Sequence, residues 1–95
     1  MYTIYVKFDC VPEKRAAFLQ KMKDTGILAA IRAEDGCLLY DYFLSDERED
    51  EILLLEKWTS KAHQQVHMTQ PHMAALREFQ DEYIRSATLG EIEIL

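Results

Sequence analysis

The chain opens with YTIYVKFDC, in which Tyr2, Ile4, Val6 and Phe8 alternate with Thr3, Lys7 and Asp9. A two-residue period puts the apolar set on one side of an extended chain, so a strand is predicted from Tyr2 to Cys10. Pro12 should open a helix, because its fixed φ suits a first turn and its missing N–H costs nothing there, and Glu13 adds a favourable charge. Phe18, Leu19, Met22, Leu28 and Ile31 continue a roughly helical stripe that Gly26 breaks or bends, and Glu34 to Gly36 turns the chain out of it. CLLYDYFLS and EILLLEKW read as two strands joined by the acidic loop DEREDE, with no room for a helix between them. SKAHQQVHMTQ reads as a short helix capped by Thr59 or Ser60. Pro71 ends that helix or starts a further one running to about Arg85, and LGEIEIL is the last strand. The order βαββααβ, within one domain over residues 1–95, matches the split βαβ pattern of ferredoxin-like α+β folds: an antiparallel sheet with helices on one face.

Such a sheet leaves its other face bare. Yet Ile52 to Leu55 are apolar at every position, and Leu38, Leu39, Tyr42, Phe43 and Leu44 load both sides of the preceding strand. The simplest cover is a second copy of the same sheet, so the pattern predicts a homodimer through the sheet face, a dimeric α+β barrel. The topology also parts the two cysteines: Cys10 ends one strand and Cys37 begins another, roughly 9 to 10 Å away across two strand spacings and at opposite ends. Both are expected as reduced thiols. Eleven basic against seventeen acidic residues give a formal charge of -6, with no Lys/Arg cluster to track a phosphate backbone, which argues against a nucleic-acid partner. The start MYTIYVKFDC lacks a basic n-region and a small-residue cleavage site, and no apolar run reaches a membrane span, so the expectation is a cytoplasmic protein without a membrane partner.

All three histidines fall in EKWTSKAHQQVHMTQPHM. His63 and His67 stand four residues apart on one helix face, a spacing that also serves metal ligation. A metal would need a third ligand, and His72 lies beyond Pro71, within reach only if the chain bends back. No acidic residue follows His63 as a metalloprotease requires. The sequence therefore predicts no metal, with His63 on a solvated helix face and His67 on the side of Val66, while Glu56 and Trp58 lie at the end of a strand whose other residues are core. Glu56, a carboxylate on an otherwise apolar strand, needs a partner; it would orient His67 or pair with a lysine or arginine. Trp58, Tyr40 and Tyr42 fit a core or interface role as readily as a ligand-binding one, and Met68 and Met73 suit adaptable packing.

The segments GCLLYDYF, LEKWTSKAHQQVHMTQPHM and GEIEIL together resemble the antibiotic biosynthesis monooxygenase superfamily over essentially the whole chain. The most specific part is Glu56-x-Trp58 followed by His67 and then Pro71-His72, supported by the Gly36-Cys37-Leu38 turn and Tyr40. The resemblance implies a dimeric α+β barrel with a pocket between helices and sheet, acting on a small molecule and dioxygen with no flavin, heme or metal cofactor. A quinol or anthrone that loses a proton becomes an anion able to reduce dioxygen directly, and a histidine accepts protons near neutral pH. On this reading His67 is the general base and Glu56 its catalytic partner, while Trp58, Tyr40 and His72 line the substrate site. The isomerase branch of the superfamily asks for the same first step, proton removal next to a carbonyl. The heme-degrading branch is disfavoured: it uses an Asn on the first strand, a Trp and then a His ten residues on, whereas this chain has no Asn, His67 at the Trp position and Arg77 at the His position. Met73 also replaces the aromatic that commonly follows Pro-His. A non-catalytic ligand-binding or stress-response module built on the same barrel stays open, since fold does not decide function.

Overall fold

The computed structural model describes residues 1–93; the last two positions of the expected final strand, 94 and 95, lie outside them. The elements run β1 (Tyr2–Cys10), α1 (Arg15–Asp24), α2 (Ile27–Arg32), β2 (Cys37–Leu44), β3 (Glu51–Trp58), α3 (Lys61–Met68), α4 (Pro71–Phe79), a 3-10 turn (Gln80–Glu82) and β4 (Ile84–Glu91). The four strands form one antiparallel sheet in the order β2-β3-β1-β4, the ferredoxin-like arrangement that the element pattern predicts.

Three boundaries differ from the expectation. Pro12 does not open the first helix: Glu13 takes φ 69°, a left-handed conformation that no helix accepts, and α1 begins only at Arg15. The final helix stops at Phe79 instead of near Arg85. β4 accordingly starts at Ile84, because Cys10 on β1 pairs with Ile84 there, and it uses IRSATLGE instead of starting at Leu89. Gly26 does break the helical stripe, at φ 77°, where it ends α1 and starts α2.

The period of two in β1 and β3 builds the core. Ile4, Val6, Phe8 and Cys10 point the same way as Ile52, Leu54 and Trp58, and Phe18, Met22, Ile31, Met73 and Leu76 cover them from the helices. Phe18 lies at the centre, its ring 6.0 Å from Phe8, 6.2 Å from Tyr42 and 6.1 Å from Tyr83. The acidic β2–β3 loop is held by one guanidinium, Arg15 Nη1, which donates to the carbonyls of Ser45, Arg48 and Glu51. On the opposite sheet face Phe43 pairs with Leu53 and both stay exposed, at 49% and 39%. β3 lies between β1 and β2, with Cys37 opposite Trp58 and Cys10 opposite Ile84, so the thiols are parted as expected and both are free. Among the described residues no helix is long and apolar enough to cross a membrane.

The turn into β2 is the tightest point of the backbone near the histidines. Gly36 has φ 81°, its carbonyl accepts from Thr59 N at 2.8 Å, and the His63 ring packs directly on its Cα. A Cβ there would meet both the left-handed strain and the imidazole. We expect Gly36→Ala to cost about 1–3 kcal/mol, read as a lower urea midpoint with an unchanged slope; an unaltered midpoint would show that the turn relaxes freely.

Candidate active site

β3 supplies the floor of the site. Its inward positions after Leu54 are Glu56 and Trp58, and Glu56 is flanked in register by Ile4 of β1 and Tyr40 of β2. A register shift between Cys37 and Leu39 lets Cys37 oppose Trp58 while Leu39 opposes the adjacent Lys57. Ser60 then caps α3 by accepting from His63 N, and the cap sets the rotation of the helix. That rotation drives His67 inward to 1% exposure and leaves Val66 outside at 58%, so His67 does not share its side with Val66 as the sequence suggested. Pro71 at the start of α4 supplies the bend that returns His72 to the cluster.

His67 packs its ring on Trp58, centroids 4.7 Å apart and 34° from parallel, and lies 5.8 Å from the Tyr40 ring. Its Nδ1 lies 2.7 Å from Glu34 Oε2, and His72 Nε2 lies 2.8 Å from that same oxygen. Glu34 is the residue that sequence reasoning missed. It was legible only as part of a turn, and its role arises because α2 ends beside α3 and α4; the available signal was that a buried imidazole needs an acceptor. Glu56, expected to orient His67 or pair with a cation, does neither. Its Oε1 accepts from Trp58 Nε1 at 3.0 Å, a contact that side-chain alternation along one strand makes possible without any third element. Trp58 and Tyr40 are core residues, and both rings pack against His67. His63 is not free on a solvated face: Nδ1 lies 2.7 Å from Ser60 Oγ and Nε2 3.5 Å from Asp35 Oδ2, with the ring against Gly36.

Burial dominates the electrostatics. It pushes the Glu56 carboxyl up to about 7, with the nearby Glu34 charge adding to the rise and the Trp58 N–H opposing it. Burial likewise pushes His67 below its ordinary value, against the hydrogen bond and charge of Glu34, and His72 and Arg77 lower it further. Desolvation raises the Tyr40 and Tyr42 hydroxyls, which therefore stay protonated at neutral pH. His67 is thus a neutral base at pH 7, next to a carboxyl that is only partly ionised.

Glu34, His67 and His72 also bring one ligating atom each within 4.8 Å of one another. Ligands around a shared transition ion keep roughly 3.0–3.4 Å between them at ordinary bond lengths. Here the two nitrogens approach one oxygen at 2.7 and 2.8 Å, so the set satisfies itself by direct hydrogen bonds and would have to open to admit an ion. Beside it runs an open groove of about 360 Å³ lined by Glu34, Asp35, Ala62, His63, Val66 and Gln70.

A ferredoxin-like sheet that carries a buried imidazole on a strand-end tryptophan, with a carboxylate bridging two histidines above it, defines a small α+β domain. The sequence profile of the antibiotic biosynthesis monooxygenase family matches residues 1–78, and the chain belongs to that family. No curated protein is significantly similar to it. Among solved structures it is similar to Rv0793 from Mycobacterium tuberculosis, with 27% identity, TM-score 0.81, and 99% of this chain and 94% of that one covered. It is similar also to PA3566 from Pseudomonas aeruginosa, at 19% identity and TM-score 0.85 over 99% and 93% of the two chains. A further structure, described as an antibiotic biosynthesis monooxygenase, is 20% identical with TM-score 0.85 and 100% and 99% coverage. At these lower identities the likeness shows the fold alone.

The raised Glu56 has a consequence for stability. A carboxyl whose folded pKa exceeds its unfolded value contributes fully below 4.5, and that contribution is lost as the pH rises through about 7. Glu56→Gln keeps an acceptor for Trp58 and stays neutral throughout. Relative to the parent it should therefore gain stability between pH 5 and pH 8, by up to on the order of 3 kcal/mol. Urea melts of both proteins at the two pH values test this; a difference that does not change with pH would place the ionised carboxylate at no disadvantage.

Proposed function

We propose that this protein is a monooxygenase of a small, uncharged, enolisable aromatic compound of the quinol or anthrone kind, working on dioxygen without flavin, heme or metal, with His67 as general base. The observation that carries this reading is the environment of His67: buried, stacked on Trp58, and kept neutral at physiological pH by desolvation. Its ring accepts a proton from the acidic CH₂ or hydroxyl of the substrate, and the resulting anion passes an electron to dioxygen. Recombination forms a carbon–oxygen bond, and the hydroperoxide takes its proton back from His67. Loss of water leaves a carbonyl, so that CH₂ and O₂ become C=O and H₂O. Exclusion of bulk water protects the anion until dioxygen reaches it.

The groove beside the site favours this reading over an isomerase of a phosphorylated carbonyl compound. Its lining contributes two carboxylates, Glu34 and Asp35, and no lysine or arginine. A phosphate brought there would meet like charge and no bidentate partner.

The same reading includes a homodimer closed through the sheet face opposite the helices. Phe43 and Leu53 lie side by side on that face with Leu39, Leu55 and Tyr5 on the neighbouring positions, and Lys7, opposite Leu53, is drawn into a 2.7 Å ion pair with Glu51. Large apolar side chains left exposed on a sheet face suit an interface between copies. Light scattering at micromolar concentration should give twice the 11.1 kDa chain mass, and Leu53→Asp should return a folded monomer. A parent protein that is a stable monomer would overturn the barrel.

His67→Ala should lower turnover by about two to four orders of magnitude, the range for a lost general base, with KM changed much less. In the parent the rate should fall with acidity only below the ordinary histidine range near 6.5, because the depressed pKa keeps His67 unprotonated down to lower pH. Oxygen uptake and product structure, followed separately on an anthrone, distinguish oxygenase from isomerase; undiminished activity in His67→Ala would remove the base from its role.

A further inference from the structure

We propose that Glu34 and His72 are positioning residues for His67: the Glu34 carboxylate fixes His67 as its Nδ1–H tautomer, and His72 holds that carboxylate in place as an acceptor. The inference rests on the reading of His67 as base and adds which nitrogen carries the lone pair. One oxygen, Glu34 Oε2, stands 2.7 Å from His67 Nδ1 and 2.8 Å from His72 Nε2. An ionised carboxylate oxygen only accepts, so each neutral ring must bring its single proton to the nitrogen that faces it. The lone pair of His67 is thereby left on Nε2, and that of His72 on Nδ1.

With Glu34 present as a carboxylate, Oε2 accepts from both rings at once, and both ring N–H groups converge on it. The second ring N–H therefore matters. It pins Oε2 between two donors, so that the carboxylate keeps its place against Nδ1 of His67 instead of swinging away from the ring. Glu34 follows α2, His67 sits in the last turn of α3 and His72 in the first turn of α4, so one oxygen joins three elements whose packing sets the ring plane on Trp58. Neither Glu34 nor His72 needs to touch the reacting atoms to matter for the rate.

The decisive measurement needs no substrate. In ¹⁵N-labelled parent protein at a pH where His67 is neutral, long-range ¹H–¹⁵N spectra should show a protonated Nδ1 and an unprotonated Nε2 for His67. His72→Leu removes the second donor and His72→Gln restores an N–H. The first should broaden or shift His67 toward a tautomer mixture and lower kcat about tenfold at similar KM, part of the roughly 10²- to 10⁴-fold attributable to a base; the second should recover both. Glu34→Ala should lose the tautomer preference altogether. A parent spectrum with His67 protonated at Nε2, or a preference unchanged in Glu34→Ala, would overturn the proposal whatever the activity. The correct tautomer together with full activity in His67→Ala would instead leave the positioning intact and remove the base.

Discussion

A polar ring placed inside a hydrophobic core must be hydrogen-bonded, and in this protein a single carboxylate oxygen meets that requirement. Unpaired burial of an imidazole or a carboxylate costs several times what one ordinary hydrogen bond contributes. Once α3 turns His67 inward, the chain has to bring an acceptor to its Nδ1, and Glu34 arrives from the end of α2. His72 joins from α4 because Pro71 redirects the chain there. The packing of α2, α3 and α4 over one end of the sheet is in this sense organised around Glu34 Oε2, with the apolar contacts of Ile31, Met73 and Leu76 supplying the area beneath it.

Two buried titratable groups share that end of the sheet and respond oppositely to the same cause. Desolvation opposes charge in both: it raises Glu56 and lowers His67. The result is a neutral base over a partly neutral acid, two groups with displaced pKa values within one small volume. Pairs driven apart in this way are common where proton transfer occurs, although structural networks also produce them. What distinguishes this pair is that the groups do not bond to each other. Glu56 is tied to Trp58 and His67 to Glu34, with the indole ring lying between the two systems as the surface on which His67 stacks.

The two faces of the sheet follow different rules. The inner face is filled by alternating side chains of β1 and β3 under the helices, and its one exception, Glu56, is satisfied locally by the next inward residue, Trp58. The outer face keeps a Phe43–Leu53 pair in water. Charged side chains stand beside it, with Lys7 opposite Leu53 and Asp41 opposite Leu55, and Lys7 is drawn into an ion pair with Glu51.

Periodicity determined much of the architecture. The alternation of Ile4, Val6 and Phe8, the continuous run Ile52 to Leu55 and the helical spacing of Phe18 and Met22 carried the strand and helix order, because burial of one face is a local property of side-chain spacing. Gly26 and Pro71 likewise marked breaks through their own backbone preferences. The sequence was less informative at Glu13, whose left-handed φ delays α1, and in the stretch after Phe79, where pairing with β1 instead of local propensity sets the start of β4. At the site, Trp58 and His67 were legible from residue type and position, whereas their partners were not. Glu56 carried the unusual composition and so drew the pairing with His67; only tertiary structure could assign that contact to Glu34, 33 positions before the histidine, because which carboxylate reaches a buried ring depends on how three helices pack and not on any spacing along the chain.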